Sequence, residues 1–375
     1  MKEPGYPAAR VVSPFVHAHF LDQADRGGEN AASVPGVASI EQMIDAAFWT
    51  SVRREEGYVP RISLAFLAPQ QSVQPLRFER PLPLSPDALV KVGAAAERAG
   101  IHIGVWPEGD ELRAWGLTTA IPPLCFVLEV TAPGLLVIKH QRGQKAGKYV
   151  NVAVLEGDQI KIIDERASSL PDCPSLISSL LGFESPSSWT HTINVLVQLA
   201  VSMREHARGG LLLLVPAGSS EWSESIVQPL SYAVSPPFSN LARLARETPE
   251  GQRARVWEEE LNRFVDAIGG LTAVDGATVM NSDYELLGFG AKVQRRKGSL
   301  PVDQVAFTEP IAGNAAALVH PEHIGGTRHL AGAQFTHDQH DALALVASQD
   351  GRFTVFAWSP CENMVHAHRV DSLLL

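Results

Sequence analysis

The chain has 375 residues, of which 45% are hydrophobic and 19% are charged, a balance typical of a folded protein that excludes wholesale disorder. Its 31 basic and 41 acidic side chains give a formal net charge of −10, which argues against sequence-independent binding to duplex DNA. The three cysteines are scattered, which excludes a disulfide framework and favours a reducing compartment. No segment resembles a signal peptide or a membrane span. We therefore expect a cytoplasmic protein of two domains that binds neither membrane nor nucleic acid.

The first half of the chain predicts an α+β domain. Gly27–Gly36 is rich in loop-forming residues, and Asp45–Val52 predicts a short helix. Arg61–Ala68 predicts a strand. Ser85 followed by Pro86 predicts the start of a helix, because serine caps the first turn and proline fits its first position. Apolar or alternating runs predict six further strands: Ile101–Trp106, Leu112–Leu117, Leu124–Val130, Leu135–His140, Tyr149–Leu155 and Gln159–Ile163.

The second half predicts an α/β domain with a largely buried sheet, because helical and strand patterns alternate along it. A polar linker separates the two halves, which places the domains at residues 1–183 and 184–375. An apolar stripe from Trp189 to Met203 predicts a helix, and Leu211–Val215 after it predicts a central strand. The remaining predicted elements are a helix over residues 253–268 and the strands Ala277–Met280, Leu286–Val293, Ala342–Ala347 and Phe353–Trp358.

A first candidate motif lies between the predicted helix over residues 253–268 and the strand that follows it. Asp275 is followed there by Gly276 and Ala277. An aspartate at such a junction can hold a metal ion or accept a hydroxyl proton, and glycine lets a ligand approach the backbone closely. The alternative is an ordinary turn, because Asp-Gly is a common turn dipeptide.

A second motif runs through Gly325, Gly326, Thr327, Arg328 and His329. The glycines free backbone N–H groups, threonine adds a hydroxyl, arginine offers a planar fork to phosphate oxygens, and histidine can donate a further hydrogen bond. The pattern indicates a cradle for a polyphosphate. The alternative is a plain helix N-terminus with an exposed arginine.

A third motif, Ser348, Gln349 and Asp350, directly follows the apolar strand Ala342–Ala347. Polar groups at the carboxyl end of a buried strand are where α/β folds tend to place ligands. The alternative is a tight turn that leads into Phe353–Trp358.

The order and spacing of the three motifs resemble the diadenylate cyclase (DAC) domain family. That family shows Asp-Gly-Ala, then Gly-Thr-Arg-His-Arg-Ala-Ala, then a Ser-Glu-Glu-Thr-Gly turn after an apolar strand. This chain has DGATVM, then GGTRHLAGAQFTHDQHDALALVASQDGRFTVF. The upstream GLLLLV of Gly210–Val215 resembles the opening core strand of the family. The resemblance covers about residues 190–360.

The resemblance implies a central mixed sheet flanked by helices and a reaction in which two ATP molecules condense to cyclic di-AMP and two pyrophosphates. Each domain would hold one ATP, so the chain would self-associate through two cyclase faces. From the two-domain architecture alone we expect the first domain to be a regulatory sensor. The implied catalytic residues are Asp275, Arg328 and His329, and Mg²⁺ or Mn²⁺ would be bound by Asp275 and Asp350. The implied nucleotide-binding residues are Gly276, Ala277, Gly326, Thr327, Arg328, His329 and Ser348.

The chain departs from the family pattern at several positions. Leu330 stands where the family has a second arginine, Gly332 replaces an alanine, and Gln349 replaces a glutamate. Lys292 and Arg295–Lys297 are candidates for the missing positive charge, and the alternative is that they belong to an ordinary exposed loop. These departures keep open two other functions, a non-catalytic sensor of a nucleotide or cyclic dinucleotide and a structural protein on a decayed cyclase fold.

Overall fold

The computed structural model describes residues 5–24, 32–54, 57–73, 75–98, 100–141, 149–164, 195–247 and 253–375. The described chain is a mixed α/β protein with seven α-helices and two mixed sheets, of eight and nine strands. It divides into two compact units, Met1–Ile163 together with Leu375, and Asp164–Leu374. The predicted boundary between residues 183 and 184 lies outside the described residues. No helix within those ranges is long and apolar enough to span a bilayer.

The first unit contains three helices and an eight-stranded sheet. The helices are α1 (Pro7–Ala24), α2 (Val37–Ser51) and α3 (Pro86–Gly93). The strands are β1 (Ser63–Phe66), β2 (Leu76–Pro83), β3 (His102–Glu108), β4 (Glu111–Thr118), β5 (Phe126–Ala132), β6 (Leu135–Gln141), β7 (Tyr149–Glu156) and β8 (Gln159–Ile162). They lie in the order β2-β4-β3-β1-β5-β6-β7-β8, and β1 with β3 is the one parallel pair among these strands.

Most of the predicted elements of the first unit are confirmed. The strand runs were predicted to within a few residues, and α3 begins as expected, with the Ser85 hydroxyl accepting a hydrogen bond from the Ala88 N–H at 3.4 Å. The short helix predicted at Asp45–Val52 is the second half of the longer α2. Helix α1 and strand β2 were not predicted. The Gly- and Pro-rich composition of the first 50 residues masks α1, and β2 is an exposed strand at the end of the sheet that contains two prolines.

The core of the first unit lies between the helices and one face of the sheet. Val12, Val16 and Phe20 of α1 are each at most 1% exposed, and they share a core cluster with the inward residues of α2. Leu64 of β1 and Leu128 of β5 face the same cluster. Burial of these side chains, at about 1.5–3 kcal/mol each, is what holds the helices on the sheet.

The second unit contains four helices and a nine-stranded sheet. The helices are α4 (Val195–Glu205), α5 (Asn240–Arg246), α6 (Arg253–Leu271) and α7 (Thr327–Asp338). The strands are β9 (Gly210–Val215), β10 (Tyr232–Phe238), β11 (Ala277–Asn281), β12 (Leu286–Ala291), β13 (Val305–Thr308), β14 (Ala317–Val319), β15 (Leu343–Ala347), β16 (Phe353–Ser359) and β17 (Met364–Arg369). Their order is β10-β12-β11-β9-β15-β16-β17-β13-β14, with β9–β11 and β13–β17 parallel and the other pairs antiparallel.

The predicted central strand is confirmed, because β9 lies inside the sheet between β11 and β15. The predicted strands β11, β12, β15 and β16 and the helix α6 are also confirmed. The helix predicted from Trp189 is described only from Val195, since its first residues lie outside the described ranges. Ala333 and Phe335 of α7 are fully buried against the sheet face that Leu213 and Ala344 present. Helix α7, which carries the second motif, is therefore fixed to the sheet by its apolar side chains.

Candidate functional site

The strand register brings the first and third motifs to one edge of the second sheet. Strands β9 and β11 are parallel, so the chain segments that precede them lie at the same edge. Strand β15 is antiparallel to β9 and pairs Ala347 with Gly210, so the segment after β15 lies there too. Asp275 and Ser348 thus share this edge, on strands two positions apart, a spacing of about 10 Å.

A further strand end completes this edge. Ala277 of β11 pairs with Ala291 of β12, which places Lys292, the next residue, beside the start of β11. We call the edge marked by Gly209, Asp275, Lys292 and Ser348 the motif edge.

Close backbone packing explains the glycine of the Asp-Gly-Ala motif. Gly276 has φ +112°, and a Cβ placed there would lie 2.5 Å from the carbonyl carbon of Gly290 and 2.9 Å from the Ala291 nitrogen. No side chain fits in that space, and L-residues rarely adopt that φ. Gly276 therefore lets β11 and β12 approach each other at the residue that follows Asp275.

The Asp275 carboxylate is exposed and bound by a lysine. Its side chain is 92% exposed, and Lys292 Nζ donates a hydrogen bond to Asp275 Oδ2 at 2.6 Å. This hydrogen bond and the positive charge of Lys292 lower the pKa of Asp275, and the charge of Arg328 lowers it further. Asp275 is therefore ionised at neutral pH and lies within the electrostatic range of the second motif.

The second motif forms the N-terminus of α7. Gly326 is the N-cap residue, and no side chain caps the first turn, which begins at Thr327. Arg328 is half-buried and turns toward the start of β9, since its Nη1 would lie 2.9 Å from a Cβ on Gly209. Its charge also lowers the pKa of His206, after burial and the charge of Arg208. Arg328 therefore belongs to the motif edge, together with Asp275.

His329 is buried between α7 and the sheet, within the electrostatic range of Asp350 in the third motif. It is 3% exposed, and its ring meets Phe356 edge-on with the ring centroids 6.1 Å apart. Burial lowers the pKa of His329 to about 4, with the charge of Arg369 as the second cause. Its Nε2 has no hydrogen-bond partner among the described residues. The imidazole is therefore neutral at pH 7, and its described contacts are with the core.

The third motif forms the tight turn between β15 and β16. The Ser348 N–H donates to the Arg352 carbonyl at 2.9 Å, and the Gly351 N–H donates to the Ser348 carbonyl at 3.3 Å. Asp350 pairs with Arg352 Nε at 3.3 Å, and Gln349 Nε2 donates to the Arg208 carbonyl at 3.5 Å. The alternative interpretation of the third motif, a tight turn, is therefore correct. The strand register places this turn on the motif edge.

Two further residues at the motif edge are not predicted from the sequence. Arg208 is exposed just before β9, and Tyr232 begins β10. The ring of Tyr232 stacks on Phe289 at 4.7 Å and borders Gly290, where a Cβ would lie 2.7 Å from it. Only the register of β10 with β12 brings Tyr232 here, and no local pattern signals it.

The donors at the motif edge fit a metal ion that arrives with a nucleotide. Within the described residues no group of three or more histidine, cysteine or acidic side chains converges on one point. Asp275 and Asp350 each pair with a cation of the chain. Mg²⁺ is usually bound by one or two carboxylates together with substrate phosphates, and Asp275 and Asp350 are the two carboxylates of the candidate motifs.

Two cavities lie elsewhere in the second unit. One of about 520 Å³ is lined by Pro216, Trp222 and His340 at the opposite edge of the sheet, and one of about 390 Å³ lies beside Leu330. Neither cavity includes Asp275, Arg328 or Ser348 among its lining residues. Asp275, whose side chain is 92% exposed, therefore lies on the surface and outside both of these cavities.

Comparison with known protein families gives one match, in the first unit. Residues 29–119 match the family described as "Probable sensor domain DACNV", and no cyclase family matches the second half. No curated protein matches the chain. The matched segment includes α2, α3 and β1 to β4, and the family name associates the chain with diadenylate cyclase proteins. The match agrees with the expectation that the first domain is a sensor.

Proposed function

We propose that the protein is a diadenylate cyclase whose second unit condenses two ATP molecules into cyclic di-AMP and two pyrophosphates. In each half-reaction the 3′-hydroxyl of one ATP attacks the α-phosphorus of the other. An O–P bond forms there as the bond to pyrophosphate breaks, and the hydroxyl proton passes to solvent water. Each unit binds one ATP, so two copies meet through their motif edges. The single observation that carries the proposal is the shared position of Asp275 and Arg328 on one sheet edge.

Phosphoryl-type transfer needs in-line positioning and neutralisation of charge more than a covalent nucleophile. In the proposal Asp275 orients the 3′-hydroxyl. The N-terminus of α7 holds the triphosphate through Thr327 and Arg328, because backbone N–H groups and the helix dipole favour an anion there. The buried His329 supports this first turn of α7. Ser348, in the third motif, contacts a phosphate oxygen of the nucleotide.

The positive charge that the family draws from a second arginine has a candidate source in Lys292. Leu330 occupies that position on α7, and Lys292 Nζ lies 2.6 Å from the Asp275 carboxylate. Bound Mg²⁺ or Mn²⁺ would be held by Asp275 and Asp350 with phosphate oxygens, and it would neutralise charge on the transferring group. In the proposal Lys292 turns from Asp275 to a phosphate when the nucleotide and its metal bind.

The test is to incubate the purified chain with Mn²⁺ and ATP and to separate the products by chromatography. We expect cyclic di-AMP and pyrophosphate in a 1:2 ratio, and a loss of at least about 100-fold in rate for Asp275→Asn. Asp341→Asn, an exposed acid at the opposite edge, is the matched control and should keep the rate. Bound ATP with no product across metals and pH would rule out the cyclase.

The second candidate is a sensor that binds a nucleotide or a cyclic dinucleotide without turnover. The ion pair between Asp275 and Lys292 favours it, because a carboxylate held by a lysine is less available to a metal ion. Calorimetry separates the two functions. A sensor would give a dissociation constant for ATP or cyclic di-AMP that Arg328→Ala weakens, with no pyrophosphate release. Failure to bind any adenine nucleotide would favour the remaining alternative, a structural protein on a decayed cyclase fold.

A further inference from the structure

The third motif is a turn whose own hydrogen bonds do not fix its position in the second unit. Inside the turn the Ser348 N–H donates to the Arg352 carbonyl, and the Gly351 N–H donates to the Ser348 carbonyl. The Asp350 carboxylate pairs with Arg352, the residue at which the turn ends. These bonds close the turn and move with it. The orientation of Ser348 and Asp350 in the site therefore depends on bonds that come from outside the turn.

Arg204 of α4 provides the shorter of two such bonds among the described residues. Its Nε donates to the Gly351 carbonyl at 2.9 Å, across 147 positions of the sequence. The other bond joins the exposed Gln349 side chain to the Arg208 carbonyl, and it is long, at 3.5 Å. Arg204 is thus the main connection between α4 and the third motif.

A second hydrogen bond holds the Arg204 guanidinium in this direction. Its Nη1 donates to the Leu374 carbonyl at 2.9 Å, just after the short 3₁₀ helix Asp371–Leu373. Burial lowers the pKa of Arg204, and the negative charge of Asp371 raises it. Arginine presents its N–H groups in a planar fork, so a carbonyl bound at one arm sets the direction of the other. Arg204 is therefore oriented toward Gly351 by its bond to Leu374.

Helix α4 is a firm support for this side chain. Leu199, Ala200 and Met203 of α4 are fully buried, and the helix packs against α6 and β15. Arg204 directly follows Met203, in the last turn of the helix. A group held by a packed helix is placed more precisely than one held by a loop. The bond to Gly351 therefore ties the turn to a fixed element of the second unit.

The ordinary explanation of an arginine in the last turn of a helix is a favourable interaction with the helix dipole. That interaction needs no partner outside the helix. Both hydrogen bonds of Arg204 go to carbonyls outside α4, those of Gly351 and Leu374. The side chain is also half-buried, and burial of a charge is costly unless hydrogen bonds compensate for it. The helix dipole alone does not explain this geometry.

We propose that Arg204 is a positioning residue of the candidate site, which holds the Gly351 carbonyl and so sets the positions of Ser348 and Asp350 at the motif edge. Its effect on turnover rests on the proposed function, in which these two residues contact a phosphate and the metal ion. Arg204 acts through the turn. A displacement of about 1 Å can lower the rate of an enzyme by about 100-fold, so the position of this turn matters for the chemistry.

Hydrogen exchange of the full chain without nucleotide tests the hold on the turn itself. Arg204→Met removes both hydrogen bonds, and the N–H groups of Ser348 and Gly351 should then exchange about 10-fold faster relative to those of β9. Arg243→Met is the matched control, because Arg243 is a helical arginine of the same unit that bonds two glutamates and not the turn. It should leave exchange in the turn unchanged. Unchanged exchange in Arg204→Met would overturn the proposal.

Steady-state kinetics tests the consequence for the site. Arg204→Lys keeps the charge without the planar fork, and we expect kcat to fall by about 10-fold and the half-saturating Mn²⁺ concentration to rise by about 5-fold. A merely structural role would lower kcat and leave the Mn²⁺ dependence as it is. Arg243→Met should change neither quantity.

The two measurements separate this inference from the proposed function. If the parent chain forms no cyclic di-AMP, the proposed function fails, and hydrogen exchange still decides whether Arg204 holds the turn. If the parent chain is active and Arg204→Lys has the parental Mn²⁺ dependence, the positioning role is wrong and the cyclase stands.

Discussion

The ammonium group of Lys292 donates a 2.6 Å hydrogen bond to the carboxylate of Asp275, across the antiparallel pair of β12 and β11. The two residues are 17 positions apart in sequence. Their contact depends on Gly276, which lets the two strands approach closely. It lowers the pKa of Asp275 and holds a cation where a nucleotide would meet the motif edge.

Removing the Lys292 charge should change the titration of Asp275. In Lys292→Met the pKa of Asp275 should rise toward its ordinary value, because the hydrogen bond and the nearby charge that lower it are lost. Carboxyl ¹³C chemical shifts across an acid titration measure this directly. Lys297→Met removes an exposed lysine at the opposite edge and is the control. An equal Asp275 titration in both variants would contradict the assigned ion pair.

A side chain at Gly209 should have two separate effects, strain in the backbone and displacement of Arg328. Gly209 has φ +71°, and a Cβ there would lie 2.9 Å from Arg328 Nη1. Gly209→Ala should cost about 1–2 kcal/mol in unfolding free energy and should also displace Arg328, which weakens ATP binding.

Gly313→Ala is the matched control for Gly209→Ala. Gly313 has φ +81° with nothing within 4 Å of a Cβ, so its variant should show the strain alone. Chemical denaturation and ATP calorimetry of both variants make the comparison. Equal ATP affinities in the two would show that the Arg328 position is unimportant for binding.

Close packing at Gly276 should make that position intolerant of any side chain. Gly276→Ala combines the strain of φ +112° with a Cβ 2.5 Å from Gly290, and we expect a loss of about 3 kcal/mol. Gly270→Ala, at an exposed position of α6 with open space around it, should instead stabilise the chain by about 0.5–1 kcal/mol. Urea unfolding monitored by circular dichroism measures both. A cost below about 1 kcal/mol for Gly276→Ala would mean that the strands can separate there.

Burial of His329 should make stability depend on pH. Its pKa is about 4 in the folded chain, below the ordinary value of 6.5, so the unfolded chain binds more protons between these values. The stability that neutral His329 contributes is present above about pH 6.5 and is lost as the pH falls toward 4. His329→Phe should flatten this part of the pH profile of the unfolding free energy.

The control for His329→Phe is His320→Asn, at a partly exposed histidine of the same unit. It should leave the slope of the unfolding free energy between pH 6.5 and 4 as it is in the parent chain. If His329→Phe also retains the parental slope, His329 is not the buried group that titrates in this range.

The sequence by itself determined the elements whose signal is local. The apolar run Leu211–Val215 predicts a buried strand because every residue of a central strand faces a covered side, and the structure has β9 there. Ser85 before Pro86 predicts the start of α3, because a hydroxyl oxygen can accept from the first free N–H groups. Each of the three motifs is also a short run of residues. The sequence could therefore indicate the residues of the candidate site.

The tertiary structure alone decided which of those residues meet. Arg328 reaches the start of β9, more than a hundred residues away in sequence, because α7 buries Phe335 against the sheet. The same burial places the His329 ring against Phe356 in the core, although Arg328, its neighbour in sequence, turns toward Gly209. Strand register brings Lys292 to Asp275, and the packing of α1 on the sheet leaves Phe15 exposed. These outcomes depend on long-range packing and pairing, which a local pattern of residue types does not encode.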